Sequence, residues 1–358
     1  MPAPGNLTVL GLMSGTSLDG VDLALCHFKE QSCAYTYEIL KTRTFPYPYY
    51  LREKLEDAIQ IDPGDLHQLD QELGSYYAGL IREFLTDSKV KPDLISSHGH
   101  TILHQPDKGI TMQIGDGKVM ATKTGITVIN DFRSQDVSKG GQGAPLVPIG
   151  DRDLFGEHDM CLNLGGIANV SYDRAGQRIG CDISPCNMAL NTVASWINIE
   201  FDDKGQLASE GKPDKDLVDR LNALEYYTIP PPKSLGKEWF VRRFLPEIRQ
   251  TEISIRDLLS TINVHISDQV AAFINGQPGK GSHILVTGGG TYNENLVGLL
   301  QNKCNAELLI PDEQLIDFKE AIIFAYLGFL KHQERDNVLA SCTGASSDTS
   351  AGIINQPN

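Results

Sequence analysis

The 358-residue sequence has no run of about eighteen apolar residues, so no segment reads as a membrane span. It has no basic stripe either. Its 46 acidic residues outnumber 31 lysines and arginines, giving a formal charge of −15, and this excludes the clustered cations that bind nucleic-acid backbones. The opening residues, MPAPGNLTVLGLM, lack the basic start and small-residue cleavage site of a secretory signal, so the N-terminus is expected to begin the fold itself. The seven cysteines, at 26, 33, 161, 181, 186, 304 and 342, include no C-x-x-C pair. That argues against a zinc site or a disulfide framework and for a reducing cytoplasm. Also absent are G-x-x-x-x-G-K-[ST], a strand-borne G-x-G-x-x-G and the H-R-D loop of protein kinases, so any nucleotide site must be of another design. Low-complexity tracts and short solenoid-like repeats are missing as well.

What remains is the composition of an ordinary globular protein, 41% apolar and 22% charged, in a chain too long for one small core. The small-molecule partner this leaves, if itself an anion, must be held by local backbone dipoles against the global charge. Leu7 to Leu12 and Val21 to Phe28 read as strands joined by a polar loop, which makes a hairpin. Amphipathic stretches follow at Tyr49 to Ile59 and Asp65 to Thr86, then strands in PDLISSHGHT and ITVINDFR. Past Asp131 the pattern restarts: CLNLGGIANVSYD is strand, glycine turn, strand. Helices are expected at Asn187 to Ile197, Lys215 to Tyr226, Ser254 to Asn275 and Gln314 to Lys331, with a strand in HILVTGGG. A hairpin in each half implies a duplicated α/β architecture. Its first domain takes residues 1–130 and recovers 337–358; the second takes 131–336.

Three glycine-bearing segments and one acidic loop stand out. At the first hairpin tip, Gly15, Thr16, Ser17, Leu18, Asp19 and Gly20 lead into Val21 and Asp22. Glycine lets backbone amides approach a ligand and the hydroxyls add donors, which suits a polyphosphate as well as it suits a solvated turn. Gly165 and Gly166 repeat the device in the second half, and Gly288, Gly289 and Gly290 end a strand as a flat backbone wall or a tight connection. Asp19 and Asp22 are candidates for Mg²⁺, directly or through water, because that ion keeps several waters and borrows one or two carboxylates. In GCDISPCN, residues 180–187, Asp182 lies between Cys181 and Cys186. It belongs to a metal or redox pair, to a buried turn, or to a catalytic loop.

Two phosphate-type hairpins, a GGG strand end and two similar halves resemble the superfamily of actin, sugar kinases and heat-shock chaperones. In order along the chain, GLMSGTSLDGVD, SHGHT with HQP, QIGDG, NDFRSQDVSKGGQGAPLVP, NLGGIANV, PPKS, VTGGG, KEAIIFAYLG and TGAS resemble the 1,6-anhydro-N-acetylmuramic acid kinase family over nearly the whole length. The resemblance implies a two-lobed, actin-like (ribonuclease H-like) fold around a cleft for ATP, Mg²⁺ and sugar. It implies a reaction in which ATP phosphorylates O6 while water opens the anhydro ring. It also implies a homodimer, beside the cytoplasm read from the cysteines and the absence of nucleic-acid and membrane partners read from charge and hydropathy.

On that resemblance Asp182 matches the family's catalytic base, in a motif usually written D-T-G-P-G-N, of which Pro185 and the substrate-side Asn187 remain. Ser184 and Cys186 stand where the pattern has glycine, and a Cβ resists φ > 0. Arg133 matches an arginine near the sugar, whose guanidinium fork suits the lactyl carboxylate of muramic acid. The residues alone favour an ion pair of Arg133 with Asp131 or Asp136. Glu320 matches a glutamate facing the sugar, although carboxylates also favour helix starts for dipole reasons. His98 and His100 are substrate-proximal or satisfied core histidines, and the family usually has glutamine at 100. IGDRDLF departs where relatives carry a histidine near Gly150 or Asp151. The rival expectations are a kinase for another anhydrosugar, such as levoglucosan, and a non-catalytic ATP-switched binding protein on the same fold.

Overall fold

The computed structural model describes residues 5–15, 18, 20–31, 34–58, 63–231, 233–277 and 283–358. The backbone forms two units, Met1–Leu154 with Phe318–Asn358, and Phe155–Asp317. Residues 131–154 and 318–336, assigned to the second half from sequence, therefore lie in the first unit. Side-chain contacts explain why. Buried Asp136 accepts from the Gly143 amide at 2.8 Å and from Thr343 Oγ1 at 2.8 Å, tying the Arg133 segment to the C-terminal tail. Buried Lys319 and Asp151 form an ion pair at 2.7 Å, and the Gly150 backbone lies against Ile323.

In the first unit β1 (Asn6–Ser14), β2 (Val21–Gln31) and β3 (Ala34–Phe45) form an antiparallel meander. β4 (Leu94–Ser97) pairs parallel with β1 on its other side. β5 (His100–Gln105) and β6 (Ile110–Ile114) make a separate small hairpin. β7 (Thr127–Asn130) runs parallel to β4, and a last strand, Ile353–Asn355, closes that edge antiparallel. β1 is buried almost end to end, which is why LTVLGLM reads as a continuous apolar run rather than an alternation. One face packs Leu10, Leu12, Leu23 and Leu25 against Leu73, Tyr77 and Ile81 of the helix Pro63–Leu85. On the other face Phe28 meets Tyr326 and Phe329 of the helix Glu313–His332. That helix approaches β1 so closely that a Cβ on Gly11 would fall on the Ala321 carbonyl oxygen.

The second unit repeats the plan. β8 (Met160–Leu164), β9 (Ile167–Arg174) and β10 (Gln177–Pro185) form the meander. β11 (His283–Thr287) pairs parallel with β8, and β12 (Glu307–Leu309) parallel with β11. With the β5–β6 hairpin and the edge strand Ile353–Asn355 set aside, both sheets follow the order third, second, first, fourth, fifth strand with the same directions. This is the duplicated α/β architecture expected from the two hairpins. Met160, Leu162, Val170 and Val286 pack against Ile262, Ile266 and Val270 of the helix Ile255–Asn275. Asn293 caps the next helix, Glu294–Lys303, by accepting from the Leu296 amide at 3.0 Å.

Candidate active site

Asp182 lies near the end of β10, opposite Asn169 of β9, where a bulge between Asp182 and Ser184 shifts the register. A bulge re-aims side chains, and it does so next to the Gly165–Gly166 turn, since Pro185 is opposite Ile167. The main chain at Asp182 is fixed from both sides: its N–H donates to the Lys233 carbonyl at 3.0 Å, and its carbonyl accepts from the Tyr226 hydroxyl at 2.8 Å. Oδ2 accepts from the Leu235 amide at 2.8 Å and from Ser234 Oγ at 3.2 Å. Oδ1 has no partner among the described residues. Burial raises the carboxyl pKa above its ordinary 3.8, against the opposing pull of those two donors. The result is a half-buried carboxylate with one oxygen clamped and the other open, made more basic than an exposed aspartate.

Ser234, the last residue of PPKS, and the Leu235 amide just after it thus position the Asp182 carboxylate, a role that the run itself does not announce. The substituted glycines also find their explanation. Neither Ser184 nor Cys186 has positive φ, and Cys186 sits at φ −123°, so a Cβ fits both positions. Burial pushes the Cys181 thiol up to about 11 and the Cys186 thiol up to about 12, which leaves both as protonated packing groups. No cluster of three metal-ligating side chains occurs among the described residues.

The helix Asn187–Ser195 begins directly behind this loop. Its first amides are already used: Cys186 and Met188 donate to the Gly166 carbonyl at 2.9 and 3.0 Å, and Asn187 to the Gly165 carbonyl at 3.1 Å. The turn's carbonyls therefore face the helix, while the Gly165 and Gly166 N–H groups have no acceptor among the described residues. Gly288 adopts φ 87°, and a Cβ there would strike Asn163 Oδ1 and the Leu164 carbonyl. A Cβ on Gly290 would likewise meet Leu164. The Gly289 and Gly290 amides are also without acceptors among the described residues, at the start of a short 3₁₀ turn. Asn187 donates from Nδ2 to the Leu164 carbonyl at 3.1 Å, and it lies against Gly289 and Gly290. It ties the two glycine segments together.

In the first unit the β1–β2 tip is described at Gly15, Leu18, Gly20, Val21 and Asp22; Thr16, Ser17 and Asp19 lie outside the described residues. Leu18 is buried at φ 58° with its amide on the Gly15 carbonyl at 3.3 Å, and Gly20 backs onto the Phe45 carbonyl. Asp22 accepts from Thr44 Oγ1 at 2.6 Å across the β2–β3 pair and stays half-exposed. Arg133 makes no pair with Asp131 or Asp136, the expectation from the residues alone. Asp131 accepts from the Ser134 amide at 3.1 Å, and Asp136 is engaged with Gly143 and Thr343. Arg133 instead donates from Nε and Nη2 to His98 Nε2, at 3.1 and 2.8 Å, and from Nη1 to the Gly143 carbonyl at 2.6 Å. Burial lowers its pKa to about 10, partly offset by the charge of Glu320, so it is a cation at neutral pH.

Glu320 is half-buried, on the helix Glu313–His332, one residue after Lys319 of the buried ion pair. Ser14, at the end of β1, bonds His100 Nδ1 at 3.0 Å and the Tyr47 hydroxyl at 2.7 Å, which in turn meets Tyr77 at 2.8 Å. Burial holds His100 down at about 4, a neutral member of a satisfied core network.

The family model described as anhydro-N-acetylmuramic acid kinase matches residues 7–357. Proteins of that name from Haemophilus influenzae and Vibrio cholerae are similar at 35% and 34% identity, over 96% and 98% of this chain and 97% and 98% of theirs. One from Rhodococcus erythropolis is 35% identical over 95% of this chain and 91% of its own. With the match running from β1 through the C-terminal strand over nearly the whole length, the chain belongs to the anhydro-N-acetylmuramic acid kinase family.

Proposed function

We propose that this protein uses ATP to phosphorylate 1,6-anhydro-N-acetylmuramic acid at O6 while water opens the anhydro ring, giving N-acetylmuramic acid 6-phosphate. The observation that carries the reading is the half-clamped carboxylate of Asp182. Water attacks C1 and gives its proton to Asp182 Oδ1; the C1–O6 bond breaks, and O6 takes the γ-phosphoryl group as its bond to ADP breaks. A general base of this kind contributes typically 10²- to 10⁴-fold. An aspartate made more basic by burial is better suited to the task than an exposed one.

The amides of Gly165, Gly166, Gly289 and Gly290 are assigned to the nucleotide phosphates, together with the tip from Gly15 to Asp22 and the wall at Gly288. Unused N–H groups are what such anions need on a chain of net charge −15. Mg²⁺ would neutralise phosphate charge when bound. Half-exposed Asp22, with one oxygen on Thr44, fits a ligand acting through water, in keeping with the waters this ion retains. Arg133 is assigned to the lactyl carboxylate and Glu320 to the sugar hydroxyls, while Asn187 serves the site by holding the glycine wall. We place the enzyme in the cytoplasm as a homodimer, recovering amino sugar from peptidoglycan. Buried thiols at Cys26, Cys161, Cys181, Cys186 and Cys342 suit a reducing compartment.

ADP release measured across a panel of anhydrosugars tests the proposal. Sugar-dependent turnover is expected with the muramic compound and at least about 10-fold less with levoglucosan, which lacks the carboxylate that a charge-assisted pair would hold. ADP release that ignores added sugar would point to an ATP-switched binding protein instead.

A further inference from the structure

We propose that His98 is a positioning residue that selects for the substrate carboxylate by presenting the Arg133 fork. The inference rests on the assignment of Arg133 to the lactyl group. His98 lies just past β4, its ring on Phe324 with centroids 4.6 Å apart. Its backbone amide donates to the Leu12 carbonyl at 3.0 Å, so the residue is anchored to β1. An arginine side chain only donates, so Nε2 of His98 must accept from Arg133, and Nδ1, 2.9 Å from the Gly99 carbonyl, must carry the proton and donate. One tautomer satisfies both ends. Burial, with the charge of Arg133 second, keeps the ring neutral by holding its pKa well below 6.5.

Of the five N–H donors of a guanidinium, Arg133 spends Nε–H and one Nη2–H on His98 and one Nη1–H on Gly143, which leaves two, one on each terminal nitrogen, without an acceptor among the described residues. That is the number a carboxylate takes in a bidentate pair. His98 thus fixes the plane of the fork without itself touching the sugar. Protonating or removing the ring would free the guanidinium to rotate, and a misplaced fork no longer matches a planar anion.

The test compares kcat and KM of wild type, His98→Phe, His98→Asn, His98→Gln and Arg133→Ala on two sugars, 1,6-anhydro-N-acetylmuramic acid and the same anhydrosugar without its lactyl group. His98→Phe and His98→Asn, which cannot accept from Arg133 at that reach, should narrow the preference in kcat/KM by about 10-fold, mainly through KM of the carboxylate sugar. His98→Gln, whose amide oxygen can accept, should recover much of it. Equal losses on both sugars would show a merely structural histidine and overturn the proposal, and so would an unchanged preference in His98→Asn beside a lowered one in Arg133→Ala. An unchanged preference in Arg133→Ala would overturn the Arg133 assignment along with it. Should His98→Phe fail to fold, the contrast between Asn and Gln carries the same decision.

Discussion

At the scale of the residue, the chemistry depends on how Asp182 is divided between its two oxygens. Ser234 and the Leu235 amide both stabilise the charged form through Oδ2. Ser234→Ala removes one of these donors, so the carboxyl pKa should rise further, and the acid limb of the kcat/KM profile should move to higher pH. An unmoved limb would detach that limb from Asp182. Linkage gives a second prediction with the opposite sign from a salt-bridged aspartate. Because the folded-state pKa is raised, the native protein binds this proton more tightly than the unfolded chain, and stability declines as pH climbs above the unfolded value. Asp182→Asn should therefore melt no lower than wild type at pH 7 while kcat falls at least about 10²-fold. A variant with lost turnover and a much lower melting temperature would mean that the residue holds the loop together. Asp182 is named as a candidate by its motif alone. Its clamp is not, because Ser234 is 52 residues away in sequence and nothing in a Pro-Pro-Lys-Ser run announces its partner.

Among the elements, the helix Glu313–His332 places Glu320 by resting on β1 at Gly11 and on β4 at Gly328, where a Cβ would strike Ser96. Its second turn is held by the Lys319–Asp151 pair, whose side chains are 5% and 4% exposed. Breaking a buried pair strands a charge, so Asp151→Leu and Lys319→Met should each destabilise by about 3–5 kcal/mol, while the double replacement should recover most of that loss. Additive losses in chemical denaturation would show that the pair is not a coupled unit. The positions of the main helices were readable from apolar spacing, with ends shifted by a few residues; Lys215 to Tyr226 shortens to Lys215–Asn222. The strand Ala34–Phe45 went unread, because it is a half-exposed edge strand whose one-sided contact with β2 leaves little continuous apolar signal. The departure at Asp151 was visible as a missing histidine in IGDRDLF. Its meaning appears only with Lys319, brought beside it by folding across 168 positions of sequence.

For the whole molecule, the duplication was legible because each half opens with the same strand, glycine turn, strand pattern, and the two sheets share their strand order. The unit boundaries were not. Residues 131–154 look like the start of a second half, yet Asp136 and Asp151 bind them into the first through Thr343 and Lys319. No described helix is long and apolar enough to cross a membrane, as the missing apolar runs implied. Central to the account is that ring opening and phosphoryl transfer form one event, with the phosphoryl group taking the place of the proton that a glycosidase acid would give to the leaving oxygen. The direct measurement is a single conversion of 1,6-anhydro-N-acetylmuramic acid in ¹⁸O-water with limiting ATP, the product analysed by mass spectrometry before its hemiacetal exchanges. Label at C1 with inverted configuration, appearing in step with ADP, is the predicted result. Label in the phosphate group, or free N-acetylmuramic acid accumulating ahead of ADP, would contradict it.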